Sequence, residues 1–202
     1  DTAVVLANES LLQPLLEALP EDLGPLNITM GLPIALLPVG SYLHALQALH
    51  AGMRKGVGFF HADVERFLRH PFLQHGQAVP VIERLLKDMR SAQRTFIPSS
   101  VLEKAFAADP GIPSIDAEAV FTEVGDVRTM MPTVTVHALS WAAQAMAGDG
   151  FATEQLYQAS LVLRRVHLLL ERYKYYLDLA AYALLFQRLL RSARIGLFGE
   201  PL

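Results

Sequence analysis

The chain has 202 residues, 17 basic and 20 acidic side chains, a formal charge of -3, 52% hydrophobic residues and 18% charged ones. That mixture can build a sizeable core in one medium domain, which excludes a disordered chain, and its near-neutral balance speaks against a nucleic-acid module working by charge alone. The absence of cysteine removes disulfide scaffolds, cysteine nucleophiles and thiolate metal sites, and fits a reducing compartment. The opening Asp1-Thr2 lacks a basic-then-apolar leader and no uncharged run reaches ~18 residues, so a soluble, cytoplasmic chain is expected, with no membrane partner.

In chain order, Ala3-Val4-Val5-Leu6-Ala7 reads as a short buried strand. Asn8-Glu9-Ser10 offers cap chemistry to a helix striped by Leu11, Leu12, Leu15, Leu16 and Leu19 and closed by Pro20. Asn27-Ile28-Thr29-Met30 suits a second strand, and strand–helix–strand opens an α/β unit whose strands lie parallel. Helices are predicted over 42–54, 62–69 and 81–96, the second stopped at His70-Pro71. Residues 98–123 read as two short helices split at Asp109-Pro110-Gly111, with Asp116 capping the second. The β-branched run Thr133–Val136 competes with the helical stripe of Leu139, Ala142 and Met146, and a helix from about Thr133 is preferred.

No proline or glycine interrupts 151–194. One helix of that length would extend ~65 Å, too long for a compact domain, so a break near Tyr175-Tyr176-Leu177 is expected, with Asp178 capping the second piece. Ile195–Phe198 reads as a last strand. The layout is therefore mostly α: a helical body flanked by a partial α/β fragment with a few short parallel strands.

Most chemistry fails at the level of motif. There is no Gly-x4-Gly-Lys-Ser/Thr loop, and Gly56 and Gly58 read as a turn rather than a phosphate cradle. None of the seven histidines forms a His-x3-His pair, and Ser99, Ser100 and Ser140 lack a nucleophile elbow. Basic residues cluster once, in Arg164, Arg165, Arg172, Lys174, Arg188, Arg191 and Arg194, open to two readings: a face that tracks DNA phosphates, with Arg164, Arg165, Arg188 and Arg191 as the contacts, or ordinary solvated helix surface with Arg172 paired to Glu171. A small-molecule enzyme would need polar groups converging near Asn8, Thr29 and Glu200.

Four stretches in order carry a resemblance. Thr2 to Leu16 resembles the segment opening the second RecA-like domain of UvrD/RecB-type helicases. Asn27-Ile28-Thr29-Met30-Gly31-Leu32-Pro33 and Gly199-Glu200-Pro201-Leu202 are similar to segments of AddB-like helicase–nuclease proteins of the Bacteroidetes type, in the PD-(D/E)XK nuclease family. Asp63-Val64-Glu65-Arg66-Phe67-Leu68-Arg69-His70-Pro71 resembles the opening of that family's inserted helical subdomain.

The resemblance implies that 1–60 begin a second RecA-like domain, 61–194 form the helical subdomain inserted into it and 195–202 are the return strand to that same RecA-like domain. It further implies a non-catalytic segment of an ATP-dependent DNA double-strand-break repair enzyme. ATP and Mg would be bound elsewhere in a longer protein, with DNA and an AddA-like subunit as partners. Asn8 stands where active relatives place an arginine on the ATP γ-phosphate, which implies a degenerate motor. The alternative is a stand-alone α-helical interaction module with no nucleic-acid role.

Overall fold

The computed structural model describes residues 4, 6, 11–20, 31–107, 114–173 and 176–195. These are mostly helical, with strands confined to two small antiparallel pairs. Helix α1 (Leu12–Ala18) follows the predicted leucine stripe, although its N-cap is Leu11 and no side chain caps it. The strands expected over 3–7 and 27–30 lie outside the described residues, apart from Val4 and Leu6, which are not in a strand.

The first pairing corrects an expectation. Strand β1 (Leu32–Pro33) pairs antiparallel with β4 (Arg194–Ile195), Leu32 opposite Ile195. Parallel strands need a crossover that returns the chain to the same end of the sheet. Here the helical body delivers the chain beside its own point of entry, so β4 meets β1 head to tail. Leu32 and Pro33 lie just past the predicted second strand, and Ile195 is the described part of the predicted last one.

Helix α2 (Pro38–Ala51) starts with proline at its first position, where the missing N–H costs nothing. Its first free amide, Val39 N–H, donates to Oε1 of buried Gln155, a cap supplied from 116 residues away. Val39, Tyr42, Leu43, Leu46, Leu49 and His50 are buried on more than one face, because α2 touches α3 (His61–Leu68), α7 (Val127–Ala145), α8 (Gly150–Arg172) and α9 (Leu179–Ser192). Ile34 and the α2 side chains belong to the same core as those of 61–194, so the core does not divide at residue 60.

Helix α3 stops where His70-Pro71 predicts. Helix α4 (Val79–Ala92) ends four residues before the expected Phe96, with Gln93 in the left-handed region at φ 48°. Phe96 is instead in β3 (Phe96–Ile97), paired antiparallel with β2 (Phe59–Phe60). Gly58 sits at φ 128°, and a Cβ there would collide with the Ile97 carbonyl, so this close approach requires glycine.

Helices α5 (Ser99–Ala107) and α6 (Ser114–Val120) are the predicted short pair. Asp116 is not the cap: it lies inside α6 and its carboxylate is taken by α7. Helix α7 begins six residues earlier than expected, at Val127, capped by Asp126, whose Oδ1 accepts from Arg128 N–H. The predicted break in 151–194 is present, with α8 ending at Arg172 and Asp178 accepting from Ala181 N–H at 2.7 Å to start α9.

An aromatic cluster ties these helices together. Phe106 stacks on Phe121 at 5.9 Å, and Trp141 meets Phe106 edge-on at 5.1 Å. Tyr42 stacks on Phe67 at 5.3 Å, and its hydroxyl donates to the Ala138 carbonyl at 2.7 Å. Such rings bury large areas and fix geometry through their edge-to-face preference.

Candidate functional site

The α7–α8 hairpin builds an open, apolar concave surface. Asp149 caps α8 by accepting from Ala152 N–H, and Gly148 at φ 99° makes the preceding turn. Arg128, in the first turn of α7, donates to the Leu170 carbonyl in the last turn of α8, closing the other end of the hairpin. Between the two helices runs an open groove of about 570 Å³. Buried Leu139, Leu156 and Leu163 form its floor, and half-exposed Val136 and Tyr157 stand on its walls.

Four of the five groove hydroxyls, those of the threonines and serines, add little polarity; the fifth is that of half-exposed Tyr157. Thr133 Oγ1 donates to the Thr129 carbonyl, Thr153 Oγ1 to Asp149 and Ser160 Oγ to Tyr157, each within its own helix. Ser140 Oγ donates to Asp116 Oδ2 at 2.8 Å. At one end lie Arg164 and His167, with His167 Nε2 3.3 Å from Glu171 Oε1.

Beside the groove, Asp116 gathers an imidazole, a hydroxyl and an amide. His137 Nδ1–H donates to its Oδ1 at 2.7 Å, while Ser140 Oγ and Gln144 Nε2 donate to its Oδ2 at 2.8 Å each. The residue types are those of a nucleophilic triad, but the connectivity is not. A relay needs the imidazole between hydroxyl and carboxylate; here both donate to Asp116, so Ser140 has no base. The arrangement pins α6 to α7. Hydrogen bonds to a charged group contribute about 1.5–3 kcal/mol apiece to such a clamp.

Two other histidines are buried in the core. His50 Nε2 donates to the Val120 carbonyl at 3.1 Å and its ring meets Phe59 edge-on, while Nδ1 has no partner. Burial pushes His50 down to about 4 against the opposing pull of that carbonyl, and burial holds His70 at about 4 as well. Among the described residues no three His, Asp or Glu side chains gather to hold a metal. The Gly56–Gly58 segment is a turn, and the Gly56 N–H donates to the chain's own Glu123 carboxylate at 3.0 Å.

Comparison with family models, curated proteins and solved structures gave no match. The helicase–nuclease resemblance therefore rests on its four sequence stretches, and the site is argued from geometry.

The four predicted arginines are all exposed, and among the described residues none has an ion pair. They do not share one cavity. Arg164 borders the α7–α8 groove, whereas Arg191 borders a separate hollow of about 610 Å³ with His44 and Gln187. Arg188 and Arg191, three apart, lie on the exposed side of α9. Arg172 does not pair with Glu171: its guanidinium stands 5.7 Å from the Tyr173 ring, and Glu171 faces His167. Asn8, Thr29 and Glu200 lie outside the described residues.

The groove is the feature the sequence reading missed. Its signal was an excess of apolar side chains on α7: Val136 and Ala143 lie outside the buried stripe of Val134, Ala138, Trp141 and Ala142. Among the described residues no helix is long and apolar enough to cross a membrane.

Proposed function

We propose that this chain works by contact: it is a non-catalytic helical segment that docks a partner subunit through the α7–α8 groove. The observation that carries the proposal is the groove itself, about 570 Å³ of apolar-floored space left open between two packed helices. Exposed apolar concavities of this kind mark binding grooves more often than ordinary surface. The Asp116 cluster supports the non-catalytic part, since its hydroxyl and imidazole both serve the carboxylate. On the helicase–nuclease resemblance the segment would belong to a DNA double-strand-break repair enzyme with an AddA-like partner, ATP and Mg being bound elsewhere in a longer chain.

A second reading, that the body guides DNA, is favoured by one observation: Arg164, Arg165, Arg188 and Arg191 are exposed and without ion pairs among the described residues. Two titrations separate the readings. Docking expects 1-anilinonaphthalene-8-sulfonate to fluoresce with the native chain and to lose that signal in Val136→Glu; a silent native chain would mean the groove is closed. DNA guidance expects micromolar anisotropy binding to tailed duplex that weakens with salt and with Arg188→Glu/Arg191→Glu, and salt-insensitive or absent binding would remove it.

A further inference from the structure

We infer that the occupant of the α7–α8 groove is an amphipathic helix of a partner protein, about three turns long and carrying an acidic residue at one end. This rests on the docking reading and names its partner's chemistry. The groove-lining residues on α7 run from Pro132 to Ala143, a span of ~16 Å or three helical turns. A groove between two packed helices presents ridges that a third helix fills, read by anchors at i, i+3 or i+4, and i+7.

The chemistry of the walls narrows the choice. Thr133, Ser140, Thr153 and Ser160 each donate their hydroxyl proton to a group of this chain, so the length of the groove offers no ligand a side-chain donor from them. Short of the charged end, the Tyr157 hydroxyl is the side-chain donor left among the described groove residues, so a polar metabolite or a nucleotide would leave most of its own groups unpaired there, which is costly. Apolar anchors lose nothing.

Charge is confined to one end. His167 faces Glu171, which leaves Arg164 as the ionised group lining the groove without an ion pair among the described residues. A carboxylate on the partner's last turn complements it, fixing polarity as well as register. A second copy of this chain docking through α9 fits poorly. The exposed face of α9 carries Leu184, but Arg188 and Arg191 beside it have the same sign as Arg164.

The test is phage selection on the full chain with a library of helical 14-residue peptides randomised on one face, run in parallel on Arg164→Glu and Val136→Glu. Both sites are exposed, and circular-dichroism melts confirm folding. The inference expects wild type to enrich aliphatic residues at i, i+3 or i+4 and i+7 with Glu or Asp at one end. Arg164→Glu should exchange that acid for Lys or Arg, and a fluorescein-labelled wild-type winner should bind it about tenfold more weakly. Enrichment of apolar anchors with no charge preference, lost in Val136→Glu, would overturn the acidic-helix inference and leave docking standing. Equal recovery from wild type and Val136→Glu would overturn both. Dodecanoate binding one-to-one in the groove while no peptide is enriched would make the occupant a small amphiphile and also overturn the inference.

Discussion

His50 makes the fold acid-sensitive. It is 3% exposed, its Nε2 proton goes to Val120, and a second proton on Nδ1 would have no acceptor. Its folded value of about 4 lies below the ordinary 6.5, so the neutral ring stabilises the fold fully above pH 6.5 and that stability is lost as pH falls toward 4. The span corresponds to about 3 kcal/mol, at 1.36 kcal/mol per unit. His70, also held at about 4 by burial, acts in the same direction: its Nδ1 accepts from Phe72 N–H and its Nε2 lies 2.9 Å from Ser41 Oγ. Urea midpoints should therefore fall between pH 7 and pH 4, and His50→Gln, which can still donate to Val120, should flatten a large part of that fall. An unchanged pH profile in His50→Gln would assign the acid sensitivity to other groups.

The starts of α7, α8 and α9 are set by aspartates. Asp126, Asp149 and Asp178 each accept from an amide in the first turn of α7, α8 and α9. Replacing an N-cap aspartate by alanine costs about 1 kcal/mol, and Asp178 has the shortest of the three bonds, at 2.7 Å. Asp178→Ala should lower stability by about that amount and speed hydrogen exchange in the first turn of α9, with α8 protected as before; uniform acceleration across both helices would mean that α9 does not open separately. This break was legible because Asp178 precedes an apolar stripe and a 44-residue helix would not fit. The end of α4 was not: Phe96 is drawn into pairing with Phe60, and Gln93 adopts a left-handed turn without being glycine. The start of α7 was hidden by Thr133–Val136, whose strand preference yields to the burial of Val134 and Thr135. At the site, the exposure of the arginines could be read from their helical positions. The groove could not, because it exists only once α7 packs on α8, and Asp116 looked like a cap because nothing local announces His137, Ser140 and Gln144 as its partners.

For the whole molecule, the shared core governs how the chain can be divided. Tyr42, Leu43, Leu46 and Leu49 are at most 1% exposed and pack within the helices of 61–194. A fragment of 61–194 alone would open that surface, so it should show no cooperative melt, whereas the full chain should unfold in one transition. A cooperative melt of the fragment near the full-chain temperature would instead support an independent insertion beginning at 61. The β1–β4 pair adds a mechanical consequence. Leu32 and Ile195 face each other where the chain enters and leaves the body. Tension on the segments before 32 and after 195 would load that pair in an unzipping direction, one hydrogen bond at a time, and then reach α2 and α9 together. A pair of two residues per strand would therefore part at low force, before the shared core is loaded.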